Sequence, residues 1–183
     1  MTWQPQITYV CNKIRSKLPY FHHLKHTVDS NTLLTLYNAF IYPTLIYCLE
    51  SWGSATKTKL NRIHLLQKKI IRIIHKKPRL EHTAALFKAS NVLNITNLYK
   101  YCMLIESFKY FHDPNTIITY THAYNTRHIV SSIPYPKEAP TNNYGIFNYE
   151  NMRAQLWNEL PVEIRSVVDL GGFKVRLRGW LLE

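Results

Sequence analysis

From Glu50 to Glu81 the chain carries no acidic residue between the two ends. Within that gap, Lys57, Lys59, Arg62, Lys68, Lys69, Arg72, Lys76, Lys77 and Arg79 crowd into one segment with His64 and His75. The same segment holds Leu60, Ile63, Leu66, Ile70, Ile71, Ile73 and Ile74. At about 100° per residue the two sets separate: the aliphatic residues take one arc, and Arg62, Lys68, Lys69, Arg72, Lys76 and both histidines take the other. That separation exists only for a helix. It requires a core on one side and leaves a continuous positive surface on the other. A polyanion is the natural partner for such a surface.

The rest of the composition agrees with a folded, basic protein. Of 183 residues, 46% are hydrophobic, enough to bury a core. Formal net charge is +12 and the sequence pI is about 9.7. Because the excess sits largely in one segment, nucleic acid is favoured over an anionic membrane. Cys11, Cys48 and Cys102 are odd in number, widely spaced and without a CxxC pair, so neither a zinc ribbon nor a disulfide framework is indicated. An intracellular location, nuclear or cytoplasmic, is expected. The start lacks the pattern of a signal peptide. The longest apolar run, Ile41 to Leu49, is too short to cross a bilayer and contains Pro43.

Helical spacing recurs elsewhere. Ile7, Val10, Cys11, Ile14 and Leu18 predict a helix over 7–24. Asp29 or Ser30 is expected to cap the next one, which carries Leu33, Tyr37, Phe40 and Ile41 on its buried face and is kinked or broken by Pro43. The basic helix is expected over about 56–75, closed by Pro78. A short helix over 82–88 follows, then one capped by Asn94 or Thr96 that buries Leu98, Tyr101, Cys102, Ile105 and Phe108. Beyond Asp113-Pro114 a strand is expected at Thr116 to Tyr120, a loop at Ser131 to Gly145, and an edge strand at Tyr144 to Tyr149. Helices over 151–160, ended by Pro161, and over 173–182 complete the chain.

Catalytic signatures are weak. Eleven acids are scattered, with no Asp-Asp pair to hold two metal ions. His22, His23 and His26 place two imidazoles on one helix face, but the Glu of HExxH is absent, and polar histidines near a helix end are the plainer reading. No phosphate-cradling glycine loop and no GxSxG elbow appear. Lys76-Lys77-Pro78-Arg79 resembles a minimal nuclear import signal, but the pattern is weak and membership of the basic helix is the plainer reading. Most of the aromatic residues, Tyr37, Phe40, Tyr101 and Phe108 among them, are assigned to core faces; Tyr120, Tyr124 and Tyr144 are freer to meet a ligand.

Several segments in order resemble the part of non-LTR retrotransposon reverse transcriptases, of the Jockey and CR1 kind, that follows the palm. Thr2-Trp3-Gln4-Pro5-Gln6-Ile7 is similar to their "LTWKPHI". Tyr37 through Pro43 and Tyr47, with Trp52-Gly53, resemble "lY.a.i.P.l.YG...WG". Leu66-Gln67-Lys68-Lys69-Ile70-Ile71-Arg72 resembles "LQKkaiR". His82-Thr83 with Leu86-Phe87, then Leu93 and Leu98-Tyr99, resemble "HT.pLF....iL.l..ly". Tyr124-Asn125-Thr126-Arg127 resembles "YnTR". Trp157-Asn158-Glu159-Leu160-Pro161 with Ile164-Arg165 resembles "WN.LP..iR", and Phe173-Lys174 through Leu182 resembles "FK..L...LL". Cys48 stands where the family has Gly, and residues 143–149 match loosely.

The resemblance implies a mainly α fold: a helical, thumb-like domain over 1–112, and a loop-rich region over 113–183 that packs on it, with a short β-hairpin and terminal helices. It implies the C-terminal part of an RNA-directed DNA polymerase, truncated before its palm, with no catalytic residue and no cofactor of its own; the parent's magnesium belongs to the palm. Arg62, Lys68, Lys69, Arg72, Lys76 and Lys77 are the expected nucleic-acid contacts. Trp3, Tyr37, Pro43, Tyr47, Trp52, Gly53, Gln67, Trp157, Asn158 and Pro161 are the expected structural motif residues. Expected partners are an RNA–DNA hybrid or duplex and the palm itself, not a membrane. The alternative is a helical interaction protein for an acidic partner, or the product of a decayed element.

Overall fold

The computed structural model of the chain describes residues 3–112 and 149–183, and these are mainly α-helical, with no strand among them. In order they form α1 (Gln4–Leu24), α2 (Ser30–Leu36), a π-helical turn (Tyr37–Ile41), α3 (Tyr42–Ile46), α4 (Leu49–Trp52), α5 (Lys57–Ile74), α6 (Ala84–Ala89), α7 (Ile95–Phe111), α8 (Tyr149–Glu159), α9 (Val162–Arg165) and α10 (Leu170–Leu182). The expected strand at Thr116 to Tyr120, the Tyr124 to Arg127 motif and the Ser131 to Gly145 loop lie outside the described residues. So does the expected edge strand up to residue 148; Tyr149 itself opens α8.

Two compact units are present: Met1–Tyr99 with Leu181–Glu183, and Lys100–Trp180. In the first, α1 buries Ile7, Val10, Cys11, Ile14, Leu18 and Phe21, and α5 lies along it. Arg62 faces Cys11 and Lys69 faces His22, so the two helices run in the same sense. Helix α5 buries Leu60, Ile63, Ile70, Ile71, Ile73 and Ile74. Each such side chain contributes roughly 1.5–3 kcal/mol, whereas a like-charge pair on a helix costs only a few tenths. Burial therefore sets the helix, and the cations ride on it without being needed for it.

Caps follow the local chemistry. The Asp29 carboxylate accepts from the N–H groups of Asn31 and Thr32 at 3.2 and 3.3 Å and from the Thr32 hydroxyl. The hydroxyl first, then these N–H groups, hold its pKa below the usual carboxylate range. Asn94 does the same for α7, accepting from Thr96 and Asn97 at 3.0 Å each. Ser30 donates to the Ile74 carbonyl at 2.8 Å, so the start of α2 satisfies an orphan acceptor at the end of α5.

Pro43 acts differently from a simple break. It has no N–H to donate, and its ring would strike the carbonyl four residues back. The turn before it widens: the Tyr42 N–H bonds to the Tyr37 carbonyl, five residues earlier, and the helix resumes as α3. The extra residue corrects the expected face. Tyr37 and Ile41 are buried, but Phe40 turns outward and is 51% exposed.

Motif residues occupy distinct structural positions. Trp52 is buried and its Nε1–H donates to the Tyr47 carbonyl at 2.8 Å, while the Tyr47 ring itself is exposed. A Cβ on Gly53 would meet Tyr99 Cδ2 at 2.2 Å, so only glycine lets that ring close over the end of α4. Gln67 lies inside the aliphatic arc, with no exposed surface. It accepts from the Ile95 N–H at 2.8 Å and donates to the Tyr37 hydroxyl at 3.0 Å and the Leu93 carbonyl at 3.3 Å. It thereby ties α5 to the start of α7 and to the π turn. Trp3 takes a left-handed backbone (φ 45°) before α1, and its carbonyl accepts from Ile7. In the second unit Trp157 packs on Phe111 and Phe173, with centroids at 4.6 and 6.0 Å. Asn158 sits in the last turn of α8, and Pro161 caps α9 beyond it.

Candidate nucleic-acid interface

The C-terminal end of α5 forms a Schellman turn. The Lys77 N–H reaches the Arg72 carbonyl at 2.9 Å and the Lys76 N–H reaches Ile73 at 3.0 Å. That geometry puts Lys76 in the left-handed region, at φ 54°. Glycine is the usual occupant because its missing Cβ removes the steric cost. Here a long cationic side chain stands in that place.

The turn borders an open groove of about 430 Å³. From α5 and its cap come Lys69, Arg72, Lys76 and Lys77; Arg79 follows Pro78. From the end of α1 come His22, Lys25 and His26. No carboxylate lines it. Lys69, Lys76 and Lys77 make no ion pair with an acid among the described residues. Both helices end here, and cations near helix C-termini are stabilising in their own right, by about 0.3–1 kcal/mol each. Two helix ends account for one or two cations. Six with no acid between them leave a surplus of positive charge facing solvent.

Five of the six expected contacts are distributed over two cavities. Lys69, Arg72, Lys76 and Lys77 share the groove, whereas Lys68 lines a second cavity of about 490 Å³ with His64, Phe87 and Lys88. That second cavity also holds Glu81 and Glu183, so its charge is mixed. Arg62 lines neither; it lies toward the middle of α1, where its charge partly offsets the burial that raises the Cys11 thiol. Arg72 borders both cavities, and its Nε–H donates to the Glu81 carbonyl at 2.8 Å, holding the loop after α5 against the helix.

Lys25, His22 and His26 become part of the groove only because α1 lies parallel to α5, which the pattern of α1 alone does not reveal. Removal from water, with Lys25 and Lys69 nearby, pushes the His22 imidazole below its ordinary value. An anion in the groove would reverse the effect of those neighbours and favour its protonation.

Among the described residues there is no group of three or more His, Cys, Asp or Glu that could hold a metal ion. No helix among them is long and apolar enough to cross a membrane. None of the three cysteines is in a disulfide; Cys11 and Cys102 are buried and Cys48 is exposed. Compared with known proteins, the chain matches no family model, no curated protein and no solved structure.

Proposed function

We propose that the chain binds the phosphate backbone of template–primer nucleic acid, an RNA–DNA hybrid or duplex, through the groove between the ends of α1 and α5. In this reading it is the thumb and post-thumb part of a reverse transcriptase of the non-LTR retrotransposon kind. It holds nucleic acid and does not itself polymerise. The observation that carries the proposal is the groove's charge: six Lys and Arg side chains, two imidazoles and no carboxylate. Ammonium and guanidinium groups on phosphate fix the position of a duplex without reading its sequence.

The motif residues lend the resemblance physical sense. Cys48, where the family has Gly, adopts φ 50°, the conformation for which glycine is suited. Gln67 of the "LQKkaiR" segment is the buried hub described above, and Gly53 of "WG" is where Tyr99 closes.

The test is a titration of fluorescent duplex and hybrid with the purified chain and with a Lys69→Glu, Lys76→Glu, Lys77→Glu variant. The variant should lose at least tenfold in affinity for both, with its helical signal unchanged. Undiminished binding would refute the assignment of the groove. Binding that heparin cannot displace would favour an acidic protein partner instead.

A further inference from the structure

Helix α1 carries a second surface on the side away from α5. Tyr9, Lys13, Lys17 and Tyr20 recur at intervals of four, four and three and so share one face, about 16 Å long at 1.5 Å per residue. Tyr9 and Tyr20 are 54% and 64% exposed. The π turn and α3 border the same face and add two further exposed rings, Phe40 and Tyr47 at 51% and 69%. The widened turn before Pro43 is what brings Phe40 to this side.

Each ammonium group lies beside at least one of the rings. Lys17 Nζ lies 5.8 Å from the Tyr20 centroid and 5.6 Å from the Phe40 centroid, and Lys13 Nζ lies 5.5 Å from that of Tyr9. Tyr20, Phe40 and Lys17 border an apolar cleft of about 220 Å³; Tyr9, Lys13 and Tyr47 border another. No carboxylate lines either cleft. Rings that only had to be buried would not be left half exposed beside cations. A partner for this face must offer flat apolar surfaces and negative charge at short, regular intervals.

We propose that this face binds single-stranded nucleic acid, with bases stacked on Tyr20 and Phe40, and on Tyr9 and Tyr47 further along, and with Lys13 and Lys17 against the intervening phosphates. A duplex cannot use the rings, because its bases already stack on one another. An unpaired strand can, and every base has a face to offer. The length of the face suits about four nucleotides, the lower end of the range for such surfaces. The site is separate from the groove on α5 and does not depend on the duplex-binding reading.

The experiment uses the full chain and three labelled probes: oligo-dT, an abasic strand of the same length and charge, and a duplex. Tyr20→Ala and Phe40→Ala should each weaken oligo-dT binding about tenfold, in line with the worth of one stacked base. Tyr20→Trp should retain it. Abasic-strand and duplex affinities should shift less than twofold. Both rings are exposed, and an unchanged thermal transition will establish that the variants fold. Oligo-dT binding that survives both substitutions, or an abasic strand that binds as tightly as oligo-dT, overturns the proposal. Loss of self-association in the alanine variants without loss of strand binding would also overturn it, assigning the face to a second copy.

Discussion

Single residues carry opposed demands in this chain. Cys48 and Lys76 both hold left-handed backbone without being glycine. Cys48→Gly should raise stability by about 1 kcal/mol, which for a chain of this size is a gain of about 2–4 °C in thermal midpoint. Lys76→Gly should stabilise by a similar amount and yet weaken duplex binding, a divergence that a merely structural lysine would not produce; thermal melting and titration on the same preparation read both. Gln67→Leu removes three buried hydrogen bonds and strands the Ile95 N–H and the Leu93 carbonyl, so the urea midpoint should fall by the equivalent of roughly 2–4 kcal/mol. Burial pushes the Tyr37 hydroxyl up to about 12, against an ordinary value of 10. In the folded chain it keeps its proton where the unfolded chain gives it up. Its contribution is intact below pH 10 and is lost as pH rises toward 12, by roughly 2–3 kcal/mol. Denaturant titrations of Tyr37→Phe should lack that share of the alkaline loss.

At the scale of elements, the sequence already spelled out much of the architecture. The separation of Leu60 to Ile74 from the lysines gave α5 its buried face, and Asp29, Asn94, Pro78 and Pro161 marked helix ends where they occur. Gln67 lay in that buried arc as well, but a polar side chain declares itself a hub only once its partners on two other elements are known. A 3.6-residue period continued through the turn before Pro43 puts Phe40 in the core; the π turn adds a residue and rotates it out. The contribution of α1 to the groove could not be read from α1 alone, since His22, Lys25 and His26 acquire meaning from the helix beside them. That pairing has a pH signature. His22 is held below its ordinary value by removal from water and by Lys25 and Lys69, with His26 and Lys76 also facing the groove. A bound phosphate would favour its proton. Duplex affinity should therefore rise as pH falls below about 6.5, and His22→Ala should flatten that rise in titrations at constant ionic strength.

For the molecule as a whole, the proposed reading divides the work between two faces of the first unit: the cationic groove would take phosphates and the aromatic face unpaired bases. If the chain is a thumb and post-thumb region without its palm, as proposed, the purified chain should show no primer extension on a template–primer in the presence of magnesium. A groove that grips phosphates must release counterions, and the salt dependence of binding reads that release. With about five phosphates engaged, a plot of log K against log salt concentration for duplex should have a slope of about −4 to −5, and reversing charge at Lys69, Lys76 and Lys77 should reduce its magnitude by about 3. A slope near zero, or one that the triple reversal leaves unchanged, would contradict the account.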